Sequence, residues 1–159
     1  MSVAICPGSF DPITSGHIDI IKRASVLYDK VVVGVAKRPP KKPLFSAEDR
    51  LRFVEAVVSG QDGVTAEIFD SLLIEFAQKH NAGTIIRGLR AISDFEHEFQ
   101  MAQLNRRLSS EVETVFMMAS PEYGYLSSSA VKEIAQYGGS IEMMVPSIVE
   151  DALQKIFLR

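Results

Sequence analysis

Five short apolar runs rich in β-branched residues recur along the chain: Val3 to Cys6, Val31 to Ala36, Val64 to Ile68, Thr84 to Ile86 and Thr114 to Met118. The segments between them carry apolar residues at helical spacing. A strand followed by a helix before the next strand rejoins its neighbour in parallel, because the crossover returns the chain to the end where it started. The alternation predicts an α/β fold with a five-stranded parallel sheet and crossover helices. Its 159 residues fit one domain, 1–159, large enough to bury a sizeable core.

Helical spacing also predicts which side chains face that core. Ile18, Ile21 and Tyr28 share a face of the first helix, Phe95, Phe99 and Ala102 of the fourth, and Ile148, Ala152 and Ile156 of the last. Apolar positions in the last two helical segments suit either packing on the sheet or an interface. Ser46-x-x-Asp49 and Ser93-x-x-Glu96 read as helix starts, where hydroxyl and carboxylate satisfy free amides.

Charge narrows the range of partners. A net charge of −3 argues against a broad nucleic-acid surface, so an anionic ligand must be small and locally held. The single cysteine, Cys6, has no internal disulfide partner and reads as a small buried hydrophobe. Residues 1–6 lack the basic and apolar regions of a signal peptide, and no run approaches a membrane span. The expectation is a soluble protein of a reducing, cytoplasmic compartment.

The chemistry begins at the end of the first apolar run, in Pro7-Gly8-Ser9-Phe10-Asp11-Pro12-Ile13-Thr14-Ser15-Gly16-His17. A turn between strand and helix places free helix amides, and the positive end of the dipole, beside whatever the turn receives. Gly8 and Gly16 read as points of close backbone approach. His17, in the first helical turn, can donate to a phosphoryl oxygen, and Ser9 adds a hydroxyl. The string is neither G-x-G-x-x-G nor a P-loop, so dinucleotide oxidoreduction and P-loop hydrolysis lose their usual support. Lys37-Arg38-Pro39-Pro40-Lys41-Lys42-Pro43 is a stiff basic loop after the second strand, at the sheet edge where such folds bind ligands. Arg87 and Arg90 flank Gly88 just past the fourth strand, and guanidiniums there hold phosphate at any working pH. Ser127, Ser128 and Ser129 precede a helix, and capping accounts for only one of them.

Thr14-Ser15-Gly16-His17 resembles the T/H-x-G-H signature of the cytidylyltransferase-like nucleotidyltransferase superfamily. Together with Lys41-Lys42-Pro43, Ile86-Arg87-Gly88-Leu89-Arg90-Ala91 and Ser127-Ser128-Ser129-Ala130-Val131-Lys132-Glu133, the chain is similar over nearly its full length to the bacterial phosphopantetheine adenylyltransferase family. The resemblance implies a single-domain, Rossmann-like, doubly wound fold. It implies transfer of AMP from ATP to 4′-phosphopantetheine, with Mg²⁺ carried by the ATP phosphates rather than by a protein-built cage. His17, Lys41 and Ser9 would be catalytic, and Ser9, Lys41, Leu73 and Arg87 would hold phosphopantetheine. Ser9, Phe10, His17, Gly88, Leu89, Arg90 and Glu98 would meet ATP, with Tyr123, Gly124, Tyr125, Leu126 and Ser127 to Ser129 closing over it. A homohexamer and coenzyme A as feedback ligand are further implications. The chain departs from the family at Ser9, often Thr, at Ser15, commonly Asn, and at Leu126, commonly Ile. The short signature alone also suits enzymes that adenylylate nicotinamide mononucleotide or transfer CMP, and a nucleotide-binding regulatory module is a further alternative. The basic loop, the arginine segment and the triple serine favour phosphopantetheine as acceptor.

Overall fold

A computed structural model describes residues 1–158, with the backbone alone for Ile92 and Ser93. Five strands, β1 (Val3–Gly8), β2 (Lys30–Ala36), β3 (Val64–Phe69), β4 (Thr84–Leu89) and β5 (Glu113–Met118), form one sheet in the order β3-β2-β1-β4-β5. Every pairing is parallel. The helices are α1 (Ser15–Leu27), α2 (Ala47–Val58), α3 (Leu73–Lys79), α4 (Ile92–Leu108), α5 (Ser128–Gln136) and α6 (Ser147–Phe157). The architecture is the doubly wound, Rossmann-like α/β fold.

The strands read as continuous apolar runs because both sheet faces are covered. Alternation along each strand divides the side chains between two buried clusters. Ala4, Cys6, Val31, Val33 and Val35 face one layer with Ile21, Phe53, Val131, Val149 and Leu153, contributed by α1, α2, α5 and α6. Ile5, Val32 and Ile85 face the other, against Ile74, Phe76 and Ala77 of α3. The last two helices therefore pack on the sheet.

The fourth helix departs from expectation. Phe95 and Phe99 are 42% and 47% exposed, and Ala102 is half-buried, so the stripe is not core. The α4 helix lies over the edge of the sheet, where Phe95 meets Phe116 of β5 edge-on at 5.9 Å between ring centroids. The helix begins at Ile92 with Ala91 as its cap and no side-chain cap bond. The expected Ser93–Glu96 contact lies outside the described residues. Ser46 does cap α2, its hydroxyl accepting from the Asp49 amide at 3.1 Å.

Two strands run further than their apolar runs. β4 continues through Arg87 and Gly88 to Leu89, so Arg87 lies within the strand and only Arg90 beyond it. β1 continues through Pro7 and Gly8, paired with β2. β1 and β4, by contrast, pair only at Ala4 and Ile5. Beyond Ile5 the two strands part, at the point where the winding reverses direction, and this is the crevice where doubly wound sheets bind ligands. Pro7 has no N–H to give, and its carbonyl instead accepts from the Arg87 guanidinium across the gap at 2.8 Å.

Candidate active site

Two cavities open at the carboxyl ends of β1 and β4, of about 340 and 310 Å³. They share one wall, made of Pro7, Gly8, Ser9, Arg87 and Glu98. The first is closed by α1, the Tyr123–Leu126 turn and the start of α5. The second is closed by Pro39, Pro40, Leu73 and one side of α4.

His17 is the best-defined group in the first cavity. Thr14 caps α1, and His17 occupies the third helical position in a reciprocal arrangement. The Thr14 N–H donates to His17 Nδ1 at 3.0 Å, with Thr14 Oγ1 at 3.1 Å from the same nitrogen. Because Nδ1 accepts from an amide, the ring proton of the neutral imidazole resides on Nε2. Burial, with Arg87 and Arg90 nearby, lowers the His17 pKa to about 4. The imidazole is therefore a neutral, oriented donor near pH 7. Phe10 packs edge-on against it at 5.1 Å and holds a left-handed backbone, φ 48, a strained conformation for a bulky residue.

The two glycines of the opening string do less for a ligand than expected. A Cβ on Gly8 would meet the Phe10 ring at 3.1 Å, so the space belongs to Phe10. At Gly16 a Cβ would sit at ordinary contact distance, 3.5 Å, from Thr14 and Tyr123. Ser15 turns away from the cavity, its hydroxyl donating to the Met143 carbonyl at 2.8 Å.

Arg87 donates from Nε and Nη2 to both carboxylate oxygens of Glu98, at 2.7 and 2.6 Å. Arg90 grips Asp94 and donates to the Leu126 carbonyl at 2.6 Å, which ties the turn before α5 to the end of β4. The three serines divide their tasks. Ser127 caps α5 through the Ala130 amide at 3.0 Å, Ser128 donates to the Pro12 carbonyl at 2.8 Å, and Ser129 is exposed at the cavity rim.

Most of the expected site residues meet in these two spaces. Ser9, Phe10, His17, Gly88, Arg90 and Tyr123 line the first cavity, with Leu126 and Ser127 to Ser129, while Leu73 lines the second. Four others lie outside both. Lys41 is exposed on the basic loop, Leu89 is buried at the end of β4, and Gly124 and Tyr125 are exposed on the turn. Among the described residues no group of three or more His, Cys, Asp or Glu side chains is placed to hold a metal ion.

Residues 5–134 match the cytidylyltransferase-like family model. A phosphopantetheine adenylyltransferase of Caldanaerobacter subterraneus subsp. tengcongensis is 55% identical over 99% of this chain and 98% of its own length. The chain belongs to the phosphopantetheine adenylyltransferase family. Relatives of the same name from Clostridium novyi and Rubrobacter xylanophilus are 52% and 49% identical, each over at least 97% of both chains.

In this phosphopantetheine adenylyltransferase family member several site residues carried no sequence signal of their own. His97, Met101 and Asn105 recur every four residues along α4 and line the second cavity, a stripe beside the Phe95–Phe99 one. Reading both sides of that helix would have found them. Arg50 is fully buried, no carboxylate among the described residues is in hydrogen-bond contact with it, and burial lowers its pKa. It donates instead to the carbonyls of Ser9, Ala36 and Phe45, at 2.7, 2.8 and 3.1 Å. Asp11 accepts from the Leu44 and Phe45 amides and from Lys132 of α5, all within 2.9 Å. Together they fasten the opening turn to both ends of the basic loop and to α5.

Proposed function

We propose that this nucleotidyltransferase transfers AMP from ATP to 4′-phosphopantetheine, giving 3′-dephospho-coenzyme A and pyrophosphate, with residues 1–159 acting as one domain. The observation that carries this reading is the shared wall. Two cavities meeting at Arg87 and Ser9 suit two phosphate-bearing ligands whose reacting groups must touch. A nucleotide sensor would need only one.

The acceptor phosphate is its own nucleophile, since its second pKa is about 6 and it is largely anionic at neutral pH. No general base is required. In-line attack on the α-phosphorus forms the new P–O bond as the bond to pyrophosphate breaks, and the enzyme's task is alignment and stabilisation of oxygen charge. His17 Nε2–H donates to an α-phosphoryl oxygen, and its neutral state means that it orients and polarises without transferring a proton. Ser9 and Arg87 orient the acceptor phosphate, and Leu73 flanks the pantetheine arm. Lys41 joins them when the basic loop folds inward over bound acceptor. The adenylate and triphosphate lie against Phe10, Gly88 to Arg90, Glu98 and the Tyr123–Ser129 segment. Mg²⁺ enters with ATP, on its phosphates, as part of the substrate.

Three further assignments complete the reading. The exposed Phe95, Phe99 and Met118 supply an apolar surface for assembly into a homohexamer. Coenzyme A, sharing the pantetheine and adenylate parts of the two substrates, acts as a competing feedback ligand. The compartment is the cytoplasm, in keeping with a single buried thiol whose pKa burial raises to about 12. No helix among the described residues is long and apolar enough to cross a membrane.

The deciding experiment is pyrophosphate release from ATP with a panel of phosphorylated acceptors. Phosphopantetheine should be the preferred acceptor. Release with nicotinamide mononucleotide instead would redirect the assignment, and ATP binding without release from any acceptor would favour the sensor.

A further inference from the structure

The basic loop is anchored at both ends and held by one contact between them. Arg50 donates to the carbonyls of Ala36 and Phe45, Asp11 accepts from the amides of Leu44 and Phe45, and the Lys37 amide donates to the Phe69 carbonyl at 2.9 Å. Among the described residues, the only hydrogen bond made by residues 38–43 runs from Arg38 Nε to Asp70 Oδ1, at 2.5 Å. Lys37 Nζ stands 3.7 Å from the other carboxylate oxygen, but Lys37 belongs to the anchored end.

Asp70 is a firm point from which to hold a loop. It follows Phe69, the last residue of β3, and Phe69 stacks on Phe76 of α3 at 4.7 Å between ring centroids. Phe69 and Leu73 line the second cavity on either side of Asp70 in the chain, and Pro39 and Pro40 line it just after Arg38. The Arg38–Asp70 contact therefore joins two segments of that lining. Proline fixes φ at positions 39, 40 and 43, so the stretch beyond Arg38 has little internal freedom of its own. With Arg38 held, Lys41 moves between two nearby fixed points. With Arg38 released, the pivot retreats to Lys37, and Lys41, which lies outside both cavities, has a wider range to search.

We propose that Asp70 is a positioning residue for the acceptor: through Arg38 it holds the basic loop against the second cavity and shortens the search by which Lys41 reaches the acceptor phosphate. The proposal rests on the assignment of Lys41 to that phosphate. It runs against simple charge, which makes it testable by sign. Asp70 is an anion beside a site for an anionic substrate, so as surface charge alone its removal would tighten acceptor binding. As a latch, its removal weakens it. The Arg38 and Asp70 side chains are 79% and 39% exposed, and exposed pairs shift an equilibrium by about fivefold or less, with sensitivity to salt.

The test is steady-state pyrophosphate release by the full chain carrying Asp70→Ala, Arg38→Ala or both. Each should lower kcat/KM for phosphopantetheine by about fivefold, with KM for ATP unchanged, and the double variant should lose no more than either, because all three break one contact. The loss should shrink at about 1 M salt, and Asp70→Glu should recover most of it. In a Lys41→Ala background, Asp70→Ala should cost nothing further. Loop freedom is read separately, without substrates, by limited trypsin digestion and mass spectrometry. Trypsin does not cut before proline, so Lys41–Lys42 is the one cleavable bond between Arg38 and Pro43, and its cleavage should be about fivefold faster in Asp70→Ala. An unchanged cleavage rate, tighter acceptor binding in Asp70→Ala, or a full additional loss in the Lys41→Ala background would each overturn the proposal. Faster cleavage with unchanged kcat/KM would overturn the positioning role. Absence of pyrophosphate release from the unsubstituted protein would remove the functional assignment instead, and the cleavage rate would still decide whether Asp70 holds the loop.

Discussion

The two cavities are built on different physical terms. In the first, the polar groups are held by the backbone: His17 through the Thr14 amide, Arg90 through the Leu126 carbonyl, Ser127 as a cap and Ser128 on Pro12. In the second, apart from the shared wall, the lining comes from Ala36, Phe69, Ile85 and Thr114 of the sheet, from Pro39, Pro40 and Leu73, and from α4, none of whose described residues is buried. Where charge develops, small displacements reduce the rate steeply, so donors fixed in advance are an advantage. A long flexible acceptor arm needs only a fitting surface. On the function proposed above, the first cavity would set the rate and the second the affinity for the acceptor.

The largest effect should come from breaking the frame of the first cavity. Asp11→Ala strips partners from the Leu44 and Phe45 amides and from Lys132 at once. Loss of one partner of a buried charged network costs about 3 kcal/mol, which at this chain length lowers Tm by roughly 10 °C. Calorimetric melting checks it, and an unchanged Tm would mean that the opening turn is held by other contacts.

Next comes the oriented imidazole. His17→Ala should lower kcat by about 10²-fold, about 2.7 kcal/mol, with smaller changes in KM for either substrate. In the unsubstituted enzyme the acid limb of the rate profile should follow the acceptor phosphate near pH 6. A limb that vanished in His17→Gln would show instead that the imidazole titrates in turnover.

What was legible in the chain follows the same division. The strands and the polar groups of the first cavity come from local signals, because a cap, a turn and an apolar run are written within a few residues. Thr14 to His17 and Ser127 to Ser129 are of this kind. The lining of the second cavity on α4, by contrast, is distinguished from the neighbouring Phe95–Phe99 stripe only by which way the helix is turned. Phe95 and Phe99 were misplaced for the same reason, since helical spacing defines a face without saying what the face meets. Arg50 belongs to no motif in the sequence. Its burial depends on three carbonyls that no spacing predicts.

A smaller effect should mark the second cavity. Asn105→Ala should raise KM for phosphopantetheine by about fivefold, the worth of one hydrogen bond of about 1 kcal/mol, while kcat and KM for ATP stay near their original values. Equal losses in kcat would dissolve the distinction between the two halves.

The finest probe of the comparison is the proton affinity of the first cavity itself. His17 is held at about 4 in the folded chain, whereas an unfolded histidine titrates near 6.5. Between those values the unfolded chain binds the extra proton, so stability rises with pH across the window, is fully present above about 6.5 and is lost as pH falls towards 4. The contribution lost between pH 7 and pH 6 is about 0.7 kcal/mol. Urea unfolding at those two pH values should show that much less dependence in His17→Gln than in the unsubstituted protein. His80 and His97 are present in both, so the difference belongs to His17 alone. Identical slopes would mean that the imidazole is open to water when the cavity is empty, and the first cavity would then be no more fixed in advance than the second.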